Sequence, residues 1–458
     1  GFLGEISQSE LEKNRYANCQ GGDQVGKQGM EKLFEEYLQG EKGKKVTIDI
    51  SGFEQRQVLV PPFSGNDLHL TLDVDLQRAA EEAMGGKTGA VVVMEVNTGN
   101  LLVMCSTPTL NLQEFSGGIS TTTWDRLLND PLTPLLNKTI QGQYAPGSIF
   151  KIITALAAIS EGGITPDATF FCDGSLNLDK RRYRCGKKGG HGTVDFHRAL
   201  VESCDVYFYS VGQKLGVDNI AKYANSLGLG EKTGIELEYE KGGNIPSTTW
   251  KQQRYKEKWQ EGETLSAAIG QGYVLTTPLQ ICRMTAAVVN GGTLYRPQMV
   301  QSITAPDGKT LKAFTPVSEG KILGSEQSLA LIKDALVGVV NSPGGTGKVV
   351  KLPDVLIGGK TGTAQVVHLA QNEGLGEKVI PYKYRDHAWF TSFAPAEKPE
   401  IAVTVLVEHG HLDDSAGAVV KAVYQRYFEL KSGKQKNKTA EQPTNLNKNE
   451  RGDRHAAL

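Results

Sequence analysis

The sequence predicts an α+β fold from three observations: strand patterns gather near both ends of a long central region, that region reads as helices, and the first strong strands join as a hairpin. A sheet assembled from early and late strands, with helices packed around it, satisfies all three.

Taken in order, residues 1–65 read as a small mixed segment. Within it, Gly26-Lys27-Gln28-Gly29 precedes Met30, Leu33, Phe34, Tyr37 and Leu38 at helical spacing, and Gly40 stops the helix. Pro61-Pro62 and Ser64-Gly65 mark a domain boundary. Residues 68–72 alternate as a strand, 76–84 follow as a helix, and 90–94 turn through Asn97-Thr98-Gly99 into 101–103. Helices are expected over 151–160, 198–209 and 275–289, then strands over 355–357, 388–390 and 401–407, and a last helix over 418–430. From 431 onward the chain is Lys- and Asn-rich with almost no large apolar residue, the composition of a disordered tail. The expected division is therefore 1–65, 66–430 and 431–458.

Composition narrows the function classes. The 458 residues are 39% hydrophobic and 22% charged, enough for a large core and too long for one ordinary domain. Fifty Lys and Arg against 51 Asp and Glu leave a net charge of -1, so overall charge points to neither nucleic acid nor an anionic surface. No run approaches the roughly 18 apolar residues of a membrane helix.

Three short motifs carry chemistry. Ser148-Ile149-Phe150-Lys151 opens a very apolar helix, and the i to i+3 spacing puts Ser148 and Lys151 on one face. A hydroxyl needs a base to become a nucleophile, and a lysine serves as one only where burial or nearby charge lowers its pKa. The helix start also offers free N–H groups to a developing oxyanion. Ser318-Glu319-Gly320-Lys321 has the same spacing but no apolar helix behind it, and is read as a solvated coincidence. Lys-Thr-Gly occurs three times, at Lys87, Lys232 and Lys360. The third, Lys360-Thr361-Gly362-Thr363, sits as if within one strand, where glycine admits a ligand backbone and a lysine with two hydroxyls would hold a carboxylate. A phosphate loop is rejected there, because position 354 is Asp where the motif requires Gly. Between these lies Glu202-Ser203-Cys204-Asp205-Val206.

Ser148-x-x-Lys151, then Ser203-x-Asp205, then Lys360-Thr361-Gly362-Thr363, resembles in content and order the penicillin-binding transpeptidases and serine β-lactamases. Tyr144-Ala145-Pro146-Gly147, Gly270-Gln271-Gly272, Thr276-Thr277-Pro278-Leu279-Gln280 and Gly26-Lys27-Gln28-Gly29-Met30-Glu31 sharpen the match to class B enzymes of the rod-elongation type. The resemblance implies a transpeptidase domain with an antiparallel sheet and a helical subdomain, after part of an N-terminal pedestal domain. It implies that Ser148 attacks a D-Ala-D-Ala carbonyl, Lys151 takes its proton, and Ser203 relays a proton to the leaving D-alanine. Lys360, Thr361, Gly362 and Thr363 would bind the substrate carboxylate, and the Ser148 and Thr363 N–H groups would form the oxyanion hole. Asp205 departs from the Asn usual in the wider superfamily. A carboxylate cannot donate a hydrogen bond, so Asp205 is expected to hold Lys151 or Lys360 instead.

Cys172, Cys185, His191 and Cys204 follow C-x12-C-x5-H-x12-C, the ligand set of a closed structural zinc site. A Cys172–Cys185 disulfide competes, since the resemblance implies an oxidising compartment, but it would leave Cys204 unpaired. A metal on Cys204 would fix the loop carrying Ser203 and Asp205. No organic cofactor is expected. The resemblance further implies a periplasmic domain on an inner-membrane anchor lying outside this stretch. The partners it implies are peptidoglycan stem peptides, β-lactams, a polytopic membrane glycosyltransferase and a rod-shape scaffold, with no nucleic acid. A serine β-lactamase or a β-lactam sensor is the alternative; no Glu-x-x-Leu-Asn follows Ser203 to deacylate an ester. His197, His387, His409 and His411 are read as packing or solvated residues, and Arg451-Gly452-Asp453 as chance.

Overall fold

The computed structural model describes residues 1–50, 53–115, 118–366, 381–410 and 415–440. At its centre stands a five-stranded antiparallel sheet in the order Gly358–Ala364, His387–Ala394, Ile401–Val407, Gly89–Glu95, Leu101–Thr107. Early and late strands meet at one seam, where Val92 lies opposite Thr404. Strand Ile401–Val407 is buried along its whole length, as its unbroken apolar run requires of a strand covered on both faces.

Each face has its own helical cover. On one, Pro278–Val289 is buried throughout, capped by Thr277, whose hydroxyl accepts from Gln280 N while the Gln280 side chain answers the Thr277 N–H. A buried hydroxyl chain ties this helix to the sheet, Thr285 to Thr391 and Thr391 to Thr404, each 2.7 Å. On the other face, Leu76, Ala80 and Met84 of helix Val74–Met84 pack with Val419, Val420, Val423 and Tyr424 of Ser415–Ala440. The sheet is thus a wall between two separate cores.

Two expectations are corrected. Residues 355–357 form no strand; the edge strand begins at Gly358. The last helix runs Ser415–Ala440, beyond the start expected for the tail, and Lys431 pairs there with Glu400 at 2.5 Å. Residues 441–458 lie outside the described residues, and with them Arg451-Gly452-Asp453.

The early segment docks on a second, three-stranded sheet, Thr310–Ala313, Val300–Thr304 and Asp67–Leu70. Phe34 joins Val300 and Ile303 in a small core with Met30, Leu33, Tyr37, Leu38 and Phe314 around it. Lys32 bridges to Glu238 at 2.7 Å. The periodic apolar residues expected at 30–38 therefore face this sheet, as two short helices, Gly29–Leu33 and Glu35–Leu38.

Candidate active site

Ser148 lies in the tight turn Gly147–Phe150, which runs directly into helix Lys151–Ser160. Residues Lys151 through Ala158 of that helix are all buried, and Ile152, Ile153 and Leu156 are fully so. Each such side chain contributes about 1.5–3 kcal/mol of burial, which anchors the Ser148 turn from behind. In front, the turn presses on the edge strand. Gly147 has φ +54° and a Cβ there would strike the Thr363 carbonyl; a Cβ on Gly362 would lie 2.8 Å from Pro146 O. Two glycines let Ser148 and the Lys-Thr-Gly-Thr strand touch backbone to backbone.

Lys151 is completely buried, as the apolar helix demands. Its Nζ donates to Ser203 O at 2.9 Å, to Ser203 Oγ at 3.1 Å and to Asp205 Oδ1 at 2.6 Å. Asp205 spends its other oxygen on Gly186 N at 2.8 Å. The sequence expectation that Asp205 holds a lysine is met by Lys151. An isolated ammonium in this interior would cost several kcal/mol, and the carboxylate removes most of that cost.

The expected single helix over 198–209 is instead two, Phe196–Val201 and Asp205–Leu215. The break centres on Ser203, whose φ of +56° is left-handed. A non-glycine residue there costs about 1–2 kcal/mol, and the hydrogen bonds of its Oγ and carbonyl hold it.

Lys360 is also completely buried. Its Nζ donates to Ser203 Oγ at 2.9 Å and to Thr361 O at 3.2 Å. Burial, reinforced by the Lys151 charge, holds its amine well below the ordinary lysine range, against the pull of Asp205. Ser203 Oγ therefore stands between two amines that share one carboxylate. Along the strand Lys360 is withdrawn inward, whereas Thr361 and Thr363 stay half-exposed, so the hydroxyls and not the lysine front the cleft.

Cys172, Cys185, His191 and Cys204 converge, with one donor atom from each lying within 4.8 Å of all the others and all four residues buried. His191 Nδ1 is 3.6 Å from Cys172 Sγ and 3.5 Å from Cys185 Sγ. All six cysteines are free thiols. Three sulfurs and an imidazole so arranged fit a tetrahedral cation such as zinc. Cys204 is the N-cap residue of helix Asp205–Leu215, which places the cluster directly behind Ser203 and Asp205.

Several contacts were not legible in the motifs. Thr346 Oγ1 meets Thr361 Oγ1 at 2.8 Å, and Gln271 Nε2 donates to Thr363 O at 3.0 Å. The resemblance includes Gly270-Gln271-Gly272 without giving Gln271 a role, and at Thr346 only the adjoining glycines hint at a contact. Tyr144 donates to Glu408 Oε1 at 2.6 Å and packs edge-on against His387 and Trp389, bracing the chain just before Pro146-Gly147-Ser148. His387 and His409, read as solvated, are instead half-buried rings 4.8 Å apart, and His387 Nδ1 accepts from His409 N at 3.0 Å. Burial, then the neighbouring His409, lowers the His387 pKa to about 4. His197 faces solvent beside Asp334 at 3.4 Å, as expected, and His411 lies outside the described residues.

The chain matches known proteins along most of its length. The family model "Penicillin binding protein transpeptidase domain" matches residues 89–429, and "Penicillin-binding Protein dimerisation domain" matches residues 1–70. The chain is 36% identical over 444 residues to peptidoglycan D,D-transpeptidase MrdA of Haemophilus influenzae, covering 93% of this chain and 67% of the relative. It is 37% identical over 434 residues to MrdA of Escherichia coli K12, covering 92% and 68%. Penicillin-binding protein 2 of Helicobacter pylori, solved in complex with MreC, superposes with a TM-score of 0.80 at 34% identity over 94% of this chain and 76% of that one. Penicillin-binding protein 2 of Pseudomonas aeruginosa in complex with WCK 5153 does so at 0.79 and 33%, over 93% and 87%. The buried lysine pair on Ser203, the glycine contact between Ser148's turn and the Lys-Thr-Gly-Thr strand, and these matches have one reading: the chain belongs to the penicillin-binding protein transpeptidases.

Proposed function

We propose that this chain is a peptidoglycan D,D-transpeptidase of cell elongation, acting through an acyl-enzyme on Ser148. The observation that carries the mechanism is Ser203 Oγ within hydrogen-bond reach of both Lys151 and Lys360. Lys151 first passes a proton through Ser203 to the Lys360 amine, and Ser148 Oγ then attacks the carbonyl of the penultimate D-alanine and gives its proton to the freed Lys151 amine. The new C–O bond forms as the C–N bond to the terminal D-alanine breaks, and Ser203 passes a proton from the lysine pair to the departing nitrogen. An acceptor amine then attacks the ester, reversing these proton transfers and freeing Ser148. Backbone N–H groups of Ser148 and Thr363 receive the oxyanion, and Thr361 and Thr363 the terminal carboxylate, with Lys360 behind them. A β-lactam enters as the same acyl donor and stays. No organic cofactor takes part. The β-lactamase alternative finds no support among the relatives.

The four-donor cluster supports a resident zinc ion held by Cys172, Cys185, His191 and Cys204. Such an ion would act as a structural cross-link, and the residues themselves position Ser203 and Asp205 through Cys204. Residues 1–65 are read as part of a pedestal and 66–430 as the transpeptidase domain. No helix among the described residues is long and apolar enough to cross a membrane. An inner-membrane anchor outside this stretch, with the domain in the periplasm, is proposed from the relatives. A rod-shape scaffold partner rests on the complex of the H. pylori protein with MreC, and a glycan-polymerising partner on a related peptidoglycan synthase complex.

Intact-mass measurement after benzylpenicillin treatment tests the reading. One covalent adduct, absent in Ser148→Ala, is expected; no adduct, or one that persists in the variant, overturns it. Metal analysis of the purified protein, with Cys204→Ser alongside, tests the zinc assignment.

A further inference from the structure

The chain is nearly neutral overall, yet Lys180, Arg181, Arg182, Arg184, Lys187 and Lys188 place six cations and no acid in nine residues. They occupy the hairpin of strands Ser175–Leu178 and Arg181–Arg184 and the turn that follows. All six are exposed. Lys187 approaches Glu202 at 3.8 Å, whereas among the described residues no carboxylate lies within ion-pair reach of Lys180, Arg181, Arg182 or Lys188.

The hairpin is fixed beside the catalytic cleft. Gly186 N donates to Asp205, the carboxylate that holds Lys151. Tyr209, from the helix that Asp205 begins, donates to Arg184 O at 3.0 Å. Tyr183 is buried with its hydroxyl directly against Gly262, in the helix Glu261–Ala268 that leads to Gln271. Cys172 and Cys185 bracket the hairpin, so the four-donor cluster forms its base. A cationic arm on a loose loop would lose much of its attraction to side-chain and backbone entropy; this one is held in place.

We infer that the 180–188 hairpin is an anionic-peptide subsite, engaging carboxylates of the stem peptide upstream of its D-Ala-D-Ala end. This rests on the transpeptidase reading above. The hairpin meets the cleft where Gly186 N reaches Asp205, so its exposed cations add a positive field at that edge of the cleft. Exposed charges of this kind act through summed Coulomb attraction and weaken with salt.

The test measures fluorescence anisotropy on the full chain carrying Ser148→Ala, with two labelled peptides ending in D-Ala-D-Ala. One has two upstream carboxylates and the other has them amidated. At low salt the acidic peptide is expected to bind about tenfold tighter, the preference fading by 0.5 M salt. Lys180→Gln/Arg181→Gln/Lys188→Gln should abolish the preference at an unchanged melting temperature. Equal binding of the two peptides, or a preference that survives in the triple variant, overturns the subsite. Salt-sensitive capture of phosphatidylglycerol vesicles, lost in the triple variant while peptide preference is kept, overturns it in favour of a membrane contact. Failure of the parent chain to form a penicillin adduct would refute the enzyme reading separately, since the anisotropy assay needs no turnover.

Discussion

Replacing Ser203 separates what its backbone costs from what its hydroxyl does. At φ +56°, the residue carries about 1 kcal/mol or more of strain that glycine would not feel. Its Oγ meets Lys151 at 3.1 Å and Lys360 at 2.9 Å, both completely buried. Losing that acceptor costs about 1–3 kcal/mol, because the amines must find other partners. Ser203→Ala keeps the strain and loses the hydroxyl, so it should be destabilised by about that 1–3 kcal/mol. Ser203→Gly also loses the hydroxyl but relaxes the backbone, less the roughly 0.4–1 kcal/mol that glycine gains as unfolded-chain entropy. The glycine variant should therefore melt no lower than the alanine variant and up to about 2 °C higher. Both should acylate with fluorescent penicillin about 10²–10⁴-fold more slowly, the usual span for a lost proton relay. Differential scanning fluorimetry and stopped-flow acylation read the two quantities. Either variant acylating within threefold of the parent would refute the relay, and a glycine variant clearly less stable than alanine would refute the strain.

Other perturbations probe the neighbours. Asp205→Ala leaves the buried Lys151 ammonium without its carboxylate, and an expected loss of about 3–5 kcal/mol should appear in chemical denaturation. Burial holds the Lys360 amine below its ordinary value, so between that lowered value and about 10.4 the unfolded chain binds more protons than the folded one. Stability should consequently rise with pH through that window, and Lys360→Met should flatten the rise; parallel melting curves from pH 7 to 9 would contradict it. Tyr144→Phe orphans Glu408 and slackens the chain before Ser148. An acylation rate about 5–10-fold lower is expected, with about 1–2 kcal/mol lost from stability.

The histidine pair shows how a local reading goes astray. His387 and His409 are far apart in sequence and each has the look of a strand-end residue in water. Antiparallel pairing of Ala388 with Val407 brings them together, and Tyr144 arrives from another part of the chain to cover them. The same holds for Gln271 and Thr346, which reach Thr363 and Thr361 only because distant segments close on the edge strand. No local periodicity encodes such meetings.

What the sequence by itself determined was the placing of groups that depends on short spacing. Ser148 and Lys151 share a helix face at three residues' separation, Lys360-Thr361-Gly362-Thr363 needs only one strand, and Cys172, Cys185, His191 and Cys204 announce themselves by composition. Apolar runs likewise fixed most strands and helices, because burial on one or both faces leaves a period in the chain. The tertiary structure decided how these parts act on one another. It broke the helix at Ser203, paired Asp205 with Lys151 and drew Lys360 inward to the same hydroxyl. Those outcomes follow from the cost of unpaired charge in a dry interior, a cost that exists only once distant segments have excluded the water.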